Sequence, residues 1–399
     1  MLRRLVESPS AYFAGAAVLL LVIVALQFDL RIPSRPTGTA RDLALLRNRG
    51  DLNVVFILVD TLRADRMSLY GYGRSTTPVI DELANHGIVF ERVIAQSSWT
   101  KTSMASLWTG TYPAAHGVLR FDNAIPREAT MPAEIFKAAG YRTVGIWRNG
   151  WVAPNFGFGQ GFDVYYTPKA GADAQLQRHS PGAASIGGTD EDVFVAARDF
   201  LETFGQEKFF LYLHLMDLHQ YVFDDDADDF GPTYSDAYDK SIDWTDRVIG
   251  AIVDALDAAD VLPRTVIAIS SDHGEAFLEH GREGHAYDLY REVVEVPYLI
   301  IPPLILDRGV RVEQTIANVD VWPTLLDLVG LPPLQGADGR SMLPLVLAAG
   351  GASAEPAPAN LTRPVVSHLD QHWGGRAEAR EWVSLTDGDS RLIVQVDRP

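Results

Sequence analysis

The sequence predicts an α/β fold: a mostly parallel sheet sandwiched by helices, with a small antiparallel sheet at the C-terminal end. Three observations predict it. Near-continuous apolar runs recur at residues 54–59, 209–215, 266–269 and 296–301, and strands apolar at every position are covered on both faces, as parallel strands are. Amphipathic stretches alternate with them. In 78–84, Ile80, Leu83 and Ala84 share one face and Gly87 is placed to stop the helix; in 237–256, Ile242, Val248, Ile249, Ile252 and Leu256 are the apolar positions. Finally, Asp60 and Asp272 fall just past two of the runs, at the carboxyl ends of strands, where open α/β sheets gather their chemistry.

Along the chain, the first expected element is a membrane anchor. Residues 12–28 are apolar apart from Gln27, at the short end of the roughly 17–25 residues a spanning helix takes. Arg3 and Arg4 precede the run and favour a cytoplasmic segment 1–11 with the remainder exported to the periplasm or cell exterior; Arg31, Arg35 and Arg41 on the far side oppose that orientation. A cleaved signal peptide is the rival reading. Residues 29–50, with Pro33, Pro36 and Gly38, read as a linker. The main domain is expected over 51–345, a second linker rich in Ala, Gly and Pro over 346–362, and a small β subdomain over 363–399. Its strand-like runs 382–385 and 391–395 flank the turn signal Asp387-Gly388. The acidic run 224–229 reads as a solvated loop, with a calcium-type site as the lesser reading.

At 399 residues the chain suits one large α/β domain with small additions. The net charge of −18 excludes nucleic acid as the main partner, because phosphate backbones demand clustered Lys and Arg. There is no cysteine, which excludes disulfides, Cys-ligated zinc and a thiol nucleophile together.

Four segments carry candidate chemistry. Asp60 leaves an apolar strand, which is costly unless the carboxylate caps a helix or binds a cation. In the segment 98–110, Met104, Leu107 and Trp108 stand at helical spacing with Gly110 placed to end the helix, so Thr100, Thr102 and Ser103 crowd its N-terminus. A hydroxyl there is an ordinary N-cap, or a nucleophile held where backbone N–H groups favour an anion. Asp272-His273-Gly274 follow a strand and set one hard and one intermediate metal ligand side by side. His214 and His219 form one histidine segment, and His280 and His285 another.

In this order the segments resemble a family. Leu58-Val59-Asp60-Thr61-Leu62-Arg63-Ala64-Asp65, Tyr70-Gly71-Tyr72, Ala105-Ser106-Leu107-Trp108-Thr109-Gly110-Thr111-Tyr112-Pro113, Gly161-Phe162-Asp163, Ser271-Asp272-His273-Gly274-Glu275 and Trp322-Pro323-Thr324 resemble bacterial sulfatase-type enzymes of the alkaline phosphatase superfamily. The resemblance runs over roughly residues 51–345. It implies an alkaline-phosphatase-like fold and metal-dependent chemistry on esters. Asp60, Asp272 and His273 fall on metal-ligand positions, and Thr100 falls on the nucleophile, which also touches the metal. His219 and His285 fall where such enzymes contact the transferred oxyanion or the leaving oxygen. His214 and His280 adjoin those segments and are expected on the substrate. Lys101, beside the nucleophile, is expected to offset charge on the transferred group, with a plain exposed lysine as the alternative.

The pattern also breaks. Sulfatases convert a Cys or Ser to formylglycine within Cys/Ser-x-Pro/Ala-x-Arg. Aligned on Thr109 to Pro113, this chain has Thr100, Thr102 and Met104 at those positions, and threonine cannot yield the aldehyde. A threonine alkoxide instead forms an ester that water or another alcohol must displace, an arrangement that resembles phosphoglycerol and phosphoethanolamine transferases and phosphodiesterases of the superfamily. Thr61 stands where many sulfatases have a further acidic ligand. One imidazole with carboxylates suits Mn²⁺ or Zn²⁺ better than the all-oxygen sphere of Ca²⁺, the alternative ion. The expected function is therefore phosphoric-ester cleavage or transfer on a small molecule, lipid headgroup or surface glycan. The alternatives are a sulfuric ester hydrolase without formylglycine and a catalytically silent binding protein on the same fold.

Overall fold

The computed structural model describes residues 12–13, 15–16, 35–171, 177–178, 188–353, 356–372 and 379–396. The chain divides into two units, Met1–Ser34 and Arg35–Pro399. In the first, Tyr12, Phe13, Gly15 and Ala16 are helical; the rest of the expected anchor 12–28, and the segment 1–11, lie outside the described residues. Among the described residues no helix is long and apolar enough to cross a membrane.

The second unit is built on one nine-stranded sheet. Its strands are β1 (Asn53–Val59), β2 (Ile88–Ile94), β3 (Arg142–Ile146), β4 (Val164–Tyr166), β5 (Phe209–Leu215), β6 (Thr265–Ser270), β7 (Glu295–Ile301), β8 (Val310–Val312) and β9 (Ile316–Ala317). Their order is β8-β2-β7-β6-β1-β5-β3-β4, with β9 also on β2. Pairing is parallel except at β7, which runs antiparallel to both neighbours, β2 and β6. The expected apolar runs are thus four of the strands, including the reversed one. All seven residues of β1 are buried, and the alternation of strand side chains sends them to two separate cores. Val54, Phe56 and Leu58 face one core, with Trp108, Phe136, Tyr212 and Trp322. Val55, Ile57 and Val59 face the other, with Val193, Phe200, Ile242 and Ile249.

Helices cover both faces: α1 (Ala40–Leu46), α2 (Pro78–Ala84), α3 (Thr100–Thr109), α4 (Asp190–Phe204), α5 (Tyr234–Ala258), α6 (Val321–Leu328) and α7 (Leu343–Ala349). Two of them lie in or across the stretches read as linkers. Within the expected linker 29–50, Thr37–Gly38 pairs with Ile305–Leu306 and α1 buries Ala40, Leu43 and Leu46, an i, i+3, i+6 stripe started by the Thr39/Asp42 capping box. Likewise α7 runs across the expected boundary at 345/346, burying Leu343, Leu345 and Val346.

The C-terminal sheet has three antiparallel strands, β10 (Val365–Asp370), β11 (Glu381–Asp387) and β12 (Ser390–Val396), the last two joined at the expected Asp387-Gly388 turn. It belongs to the same compact unit: Ser367 Oγ donates to the Ala95 carbonyl at 2.6 Å and the His368 amide to the Gln96 carbonyl at 2.7 Å. In the acidic run, Asp224 pairs with Arg247 and Asp229 with Lys240.

Candidate active site

The parallel pairing of β1 with β5 and β6 brings three strand ends to one edge, and the next residues of each form the site. Asp60 follows β1, and its Oδ2 accepts hydrogen bonds from Asn149 Nδ2 at 2.6 Å and His214 Nε2 at 3.1 Å. The Tyr212 hydroxyl meets the other ring nitrogen of His214 at 2.8 Å, so Nδ1 accepts and Nε2 carries the proton. Asp272 follows β6, with its Oδ1 accepting from the Thr61 amide at 3.3 Å. That contact is made with Thr61 at φ 64°, a strained position for a β-branched residue, held by its own hydroxyl on the Asp60 carbonyl and by Tyr238 Oη on the Thr61 carbonyl.

Thr100 opens α3 and is buried. Its Oγ1 lies 3.0 Å from His273 Nε2. His273 Nδ1 donates to the Gly274 carbonyl at 2.9 Å, which leaves Nε2 with a lone pair facing Thr100 and, at 3.3 Å, Asp272 Oδ2. Gly274 is required here because a Cβ would collide with the Glu292 carbonyl oxygen. Asp60 Oδ1 and Asp272 Oδ2 are buried without a hydrogen-bond partner. Ligand atoms of Asp60, Asp272 and His273 all lie within 4.8 Å of one another, the one such group of three among the described residues. Two orphaned carboxylate oxygens and an imidazole lone pair converging in a buried space fit a divalent cation.

The electrostatics agree. Burial pushes the Asp272 carboxyl well above its ordinary range, and the Asp60 carboxylate adds to the push. Burial acts on Asp60 in the same direction, but the His214 hydrogen bond and the neighbouring imidazoles of His219, His214 and His273 outweigh it and hold Asp60 low. Burial, then the neighbouring His285, bring His273 down to about 3, the neutral form a metal requires.

His219 and His285 complete the cluster, their rings 5.0 Å apart and His285 lying 4.5 Å from His273. Burial lowers His219, and its Nδ1 has no partner. His285 differs: burial would lower it, but the buried Glu275 carboxylate, 3.1 Å from Nδ1, outweighs burial and raises it to about 9. Of these two neighbouring imidazoles, the environment therefore favours the neutral form of His219 and the cationic form of His285.

The structure places the remaining expected residues elsewhere. His214 supports Asp60 from behind the strand edge. His280 stands on the hairpin between Ala276–Phe277 and Glu283–Gly284, bonded to Glu292 at 2.6 Å and stacked on Tyr290. Lys101 is buried rather than exposed; its Nζ donates to the Phe121 carbonyl at 2.7 Å and lies 3.4 Å from the Phe156 ring centroid. Burial takes it down to about 8 against the pull of Asp122. Two contributors were missed. Glu275 closes the Ser271–Glu275 segment with no role marked by the sequence, and the structure buries its carboxylate beside His285. Asn149 follows β3, a strand whose Arg142 and Thr143 dilute the apolar run, and nothing in the sequence marks it.

Residues 52–331 match the family model described as Sulfatase. Arylsulfatase K of Gallus gallus is 40% identical over 103 residues, covering 26% of this chain and 19% of that protein. The ulvan-active sulfatase of Formosa agariphila is 26% identical over 331 residues, covering 74% of this chain and 65% of that protein. Among solved structures, the phosphonate monoester hydrolase of Agrobacterium radiobacter superposes with a TM-score of 0.68 at 18% identity, covering 86% of this chain and 87% of the other.

Proposed function

Because this chain belongs to the sulfatase family of the alkaline phosphatase superfamily, whose members use a divalent metal, we propose that it is a metal-dependent hydrolase or transferase of phosphoric esters with Thr100 as nucleophile. The observation that carries the reading is the buried Thr100 hydroxyl, 3.0 Å from His273 Nε2, at a position where threonine stands in place of the Cys or Ser that yields formylglycine. Asp60, Asp272, His273 and Thr100 would hold the metal, with Mn²⁺ or Zn²⁺ suited to one imidazole among oxygens. When bound it would supply positive charge that acidifies the threonine hydroxyl and offsets charge on the ester oxygens.

The chain's own groups then have distinct tasks. Thr100, as the alkoxide, forms the bond to phosphorus while the bond to the leaving alcohol breaks. Cationic His285, held by Glu275, gives its proton to the departing oxygen. His219, neutral, contacts the oxyanion. Water or a second alcohol then displaces Thr100, returning a proton to His285. The sulfate-ester alternative draws support from the relatives' names, and the ulvan-active relative favours a glycan as the substrate's body. A tether over 12–28 would present this site to lipid headgroups or surface glycans outside the cytoplasm.

The test assays aryl phosphate mono- and diesters beside aryl sulfates with added Mn²⁺, Zn²⁺ or Ca²⁺. Phosphoric esters are expected to dominate and Thr100→Ala to lower turnover by at least about a thousandfold, on the order of 4 kcal/mol. Dominant sulfate turnover that survives Thr100→Ala sinks the proposal.

A further inference from the structure

In a chain with net charge −18, one cavity gathers three arginines. It encloses about 400 Å³ between the catalytic body and the tip of the β11–β12 hairpin, and Arg92, His280, Arg291, Glu295, Asp389 and Arg391 are among its lining residues. The three arginines share two carboxylates along the lining, those of Glu295 and Asp389. Arg391 keeps 12% of its side chain exposed, yet its nearest carboxylate oxygen, Glu295 Oε1, is 3.4 Å away, long for a charge-assisted bond, which closes to about 2.7–2.9 Å. The other oxygen of Glu295 is taken by Arg291 at 2.6 Å. Arg92 holds Asp389 at 2.6 Å and the Gly388 carbonyl at 2.9 Å, and the Asp389 carboxylate, on the hairpin turn, is 92% exposed. Nearby Glu292 is turned to His280. Burial is the main force drawing the Arg391 guanidinium below its ordinary range; Glu295 opposes it, and Arg291 and Arg92 add to it.

We infer that this cavity is a second anion site, taking a tetrahedral oxyanion, sulfate or phosphate, free or carried on a larger molecule. Planar guanidinium forks match the paired oxygens of such a group, and three of them around one space leave a positive charge for it to neutralise. Its wall abuts the active site. The segment that carries Tyr290, Arg291 and Glu295 joins His285 to β7, and the Gly274 amide donates to the Val293 carbonyl at 3.1 Å, one residue from His273. The inference is independent of the reaction proposed above.

Titration calorimetry of the metal-loaded full chain with sodium sulfate and with sodium phosphate, against sodium chloride at matched ionic strength, tests it. Wild type is expected to bind one more equivalent than Arg391→Gln. Arg291→Gln, at the exposed rim, is expected to weaken that second equivalent about tenfold and serves where Arg391→Gln does not fold. A second arm compares KM for an ester bearing a remote second sulfate with KM for the same ester without it. A rise confined to the doubly charged ester in the variants identifies the anion as substrate-borne; an effect on calorimetry alone identifies it as free. Unchanged stoichiometry and affinity in both variants, with unchanged KM, overturns the inference.

Discussion

Two buried charged clusters lie a few residues apart, and they are finished differently. In the first, Arg148, Asp190 and Asp217 are each fully buried. Arg148 Nη1 holds both carboxylates at 2.6 Å and Nη2 reaches the Gly188 carbonyl. The Met216 and Asp217 amides donate to Asp190, and the Asp190 amide and Trp244 Nε1 to Asp217. Every carboxylate oxygen there has a partner; Arg148 Nε alone lacks one. In the second, Asp60 Oδ1, Asp272 Oδ2 and His219 Nδ1 have none. A saturated buried network fixes a loop, here the 216–219 turn that carries His219. An unsaturated one leaves buried polar atoms open to a ligand. Between these two clusters, saturation of the carboxylate oxygens is the difference, since burial and charge are shared.

The contrast breaks most visibly at Asp272. Asp272→Asn is expected to lower kcat/KM by about a thousandfold or more and to abolish the bound metal measured by elemental analysis. In the chelator-treated protein the same change is expected to raise Tm, because it removes one of two carboxylates that repel each other. A chelated variant less stable than chelated wild type would mean that the site is saturated after all. Arg148→Met is the mirror experiment. Leaving Asp190 and Asp217 buried without their cation is expected to cost about 3–5 kcal/mol by urea denaturation, whether or not metal is present. Retained stability there would make the network dispensable to the fold.

The same contrast explains what the sequence disclosed. Apolar runs give β1, β5 and β6 because these central strands are buried on both faces, and Asp60, Asp272 and His273 are legible because they stand where those runs stop. Strand β2 is harder: Glu91 and Arg92 interrupt Ile88–Ile94, since that stretch reaches the surface. The reversal of β7 is invisible because a buried strand looks alike in either direction. Lys101 misleads because lysine is rarely buried, and only the tertiary approach of Phe121 and Phe156 makes room for it. Asn149 and Arg148 act through partners tens of residues away, a distance no local pattern encodes.

The subtlest separation is by pH. Burial, reinforced by the Asp217 carboxylate and opposed by Arg148, pushes Asp190 up to about 7 from 3.8. The folded chain therefore holds this proton over a range where the unfolded chain has released it. Folded protein binds more protons between those values, so this contribution is complete below about pH 3.8 and is lost as pH rises through about 7, at up to about 1.4 kcal/mol per pH unit. Asp190→Asn stays neutral throughout and is expected to remove that slope while keeping a carbonyl acceptor for the loop amides. Urea denaturation of wild type and variant at pH 4, 5.5 and 7, read as the difference between them, measures it. Curves that remain parallel would show Asp190 ionised across the whole range, with Arg148 and the amide donors able to hold both carboxylates ionised at once, and the network's net negative charge would then be carried by its hydrogen bonds.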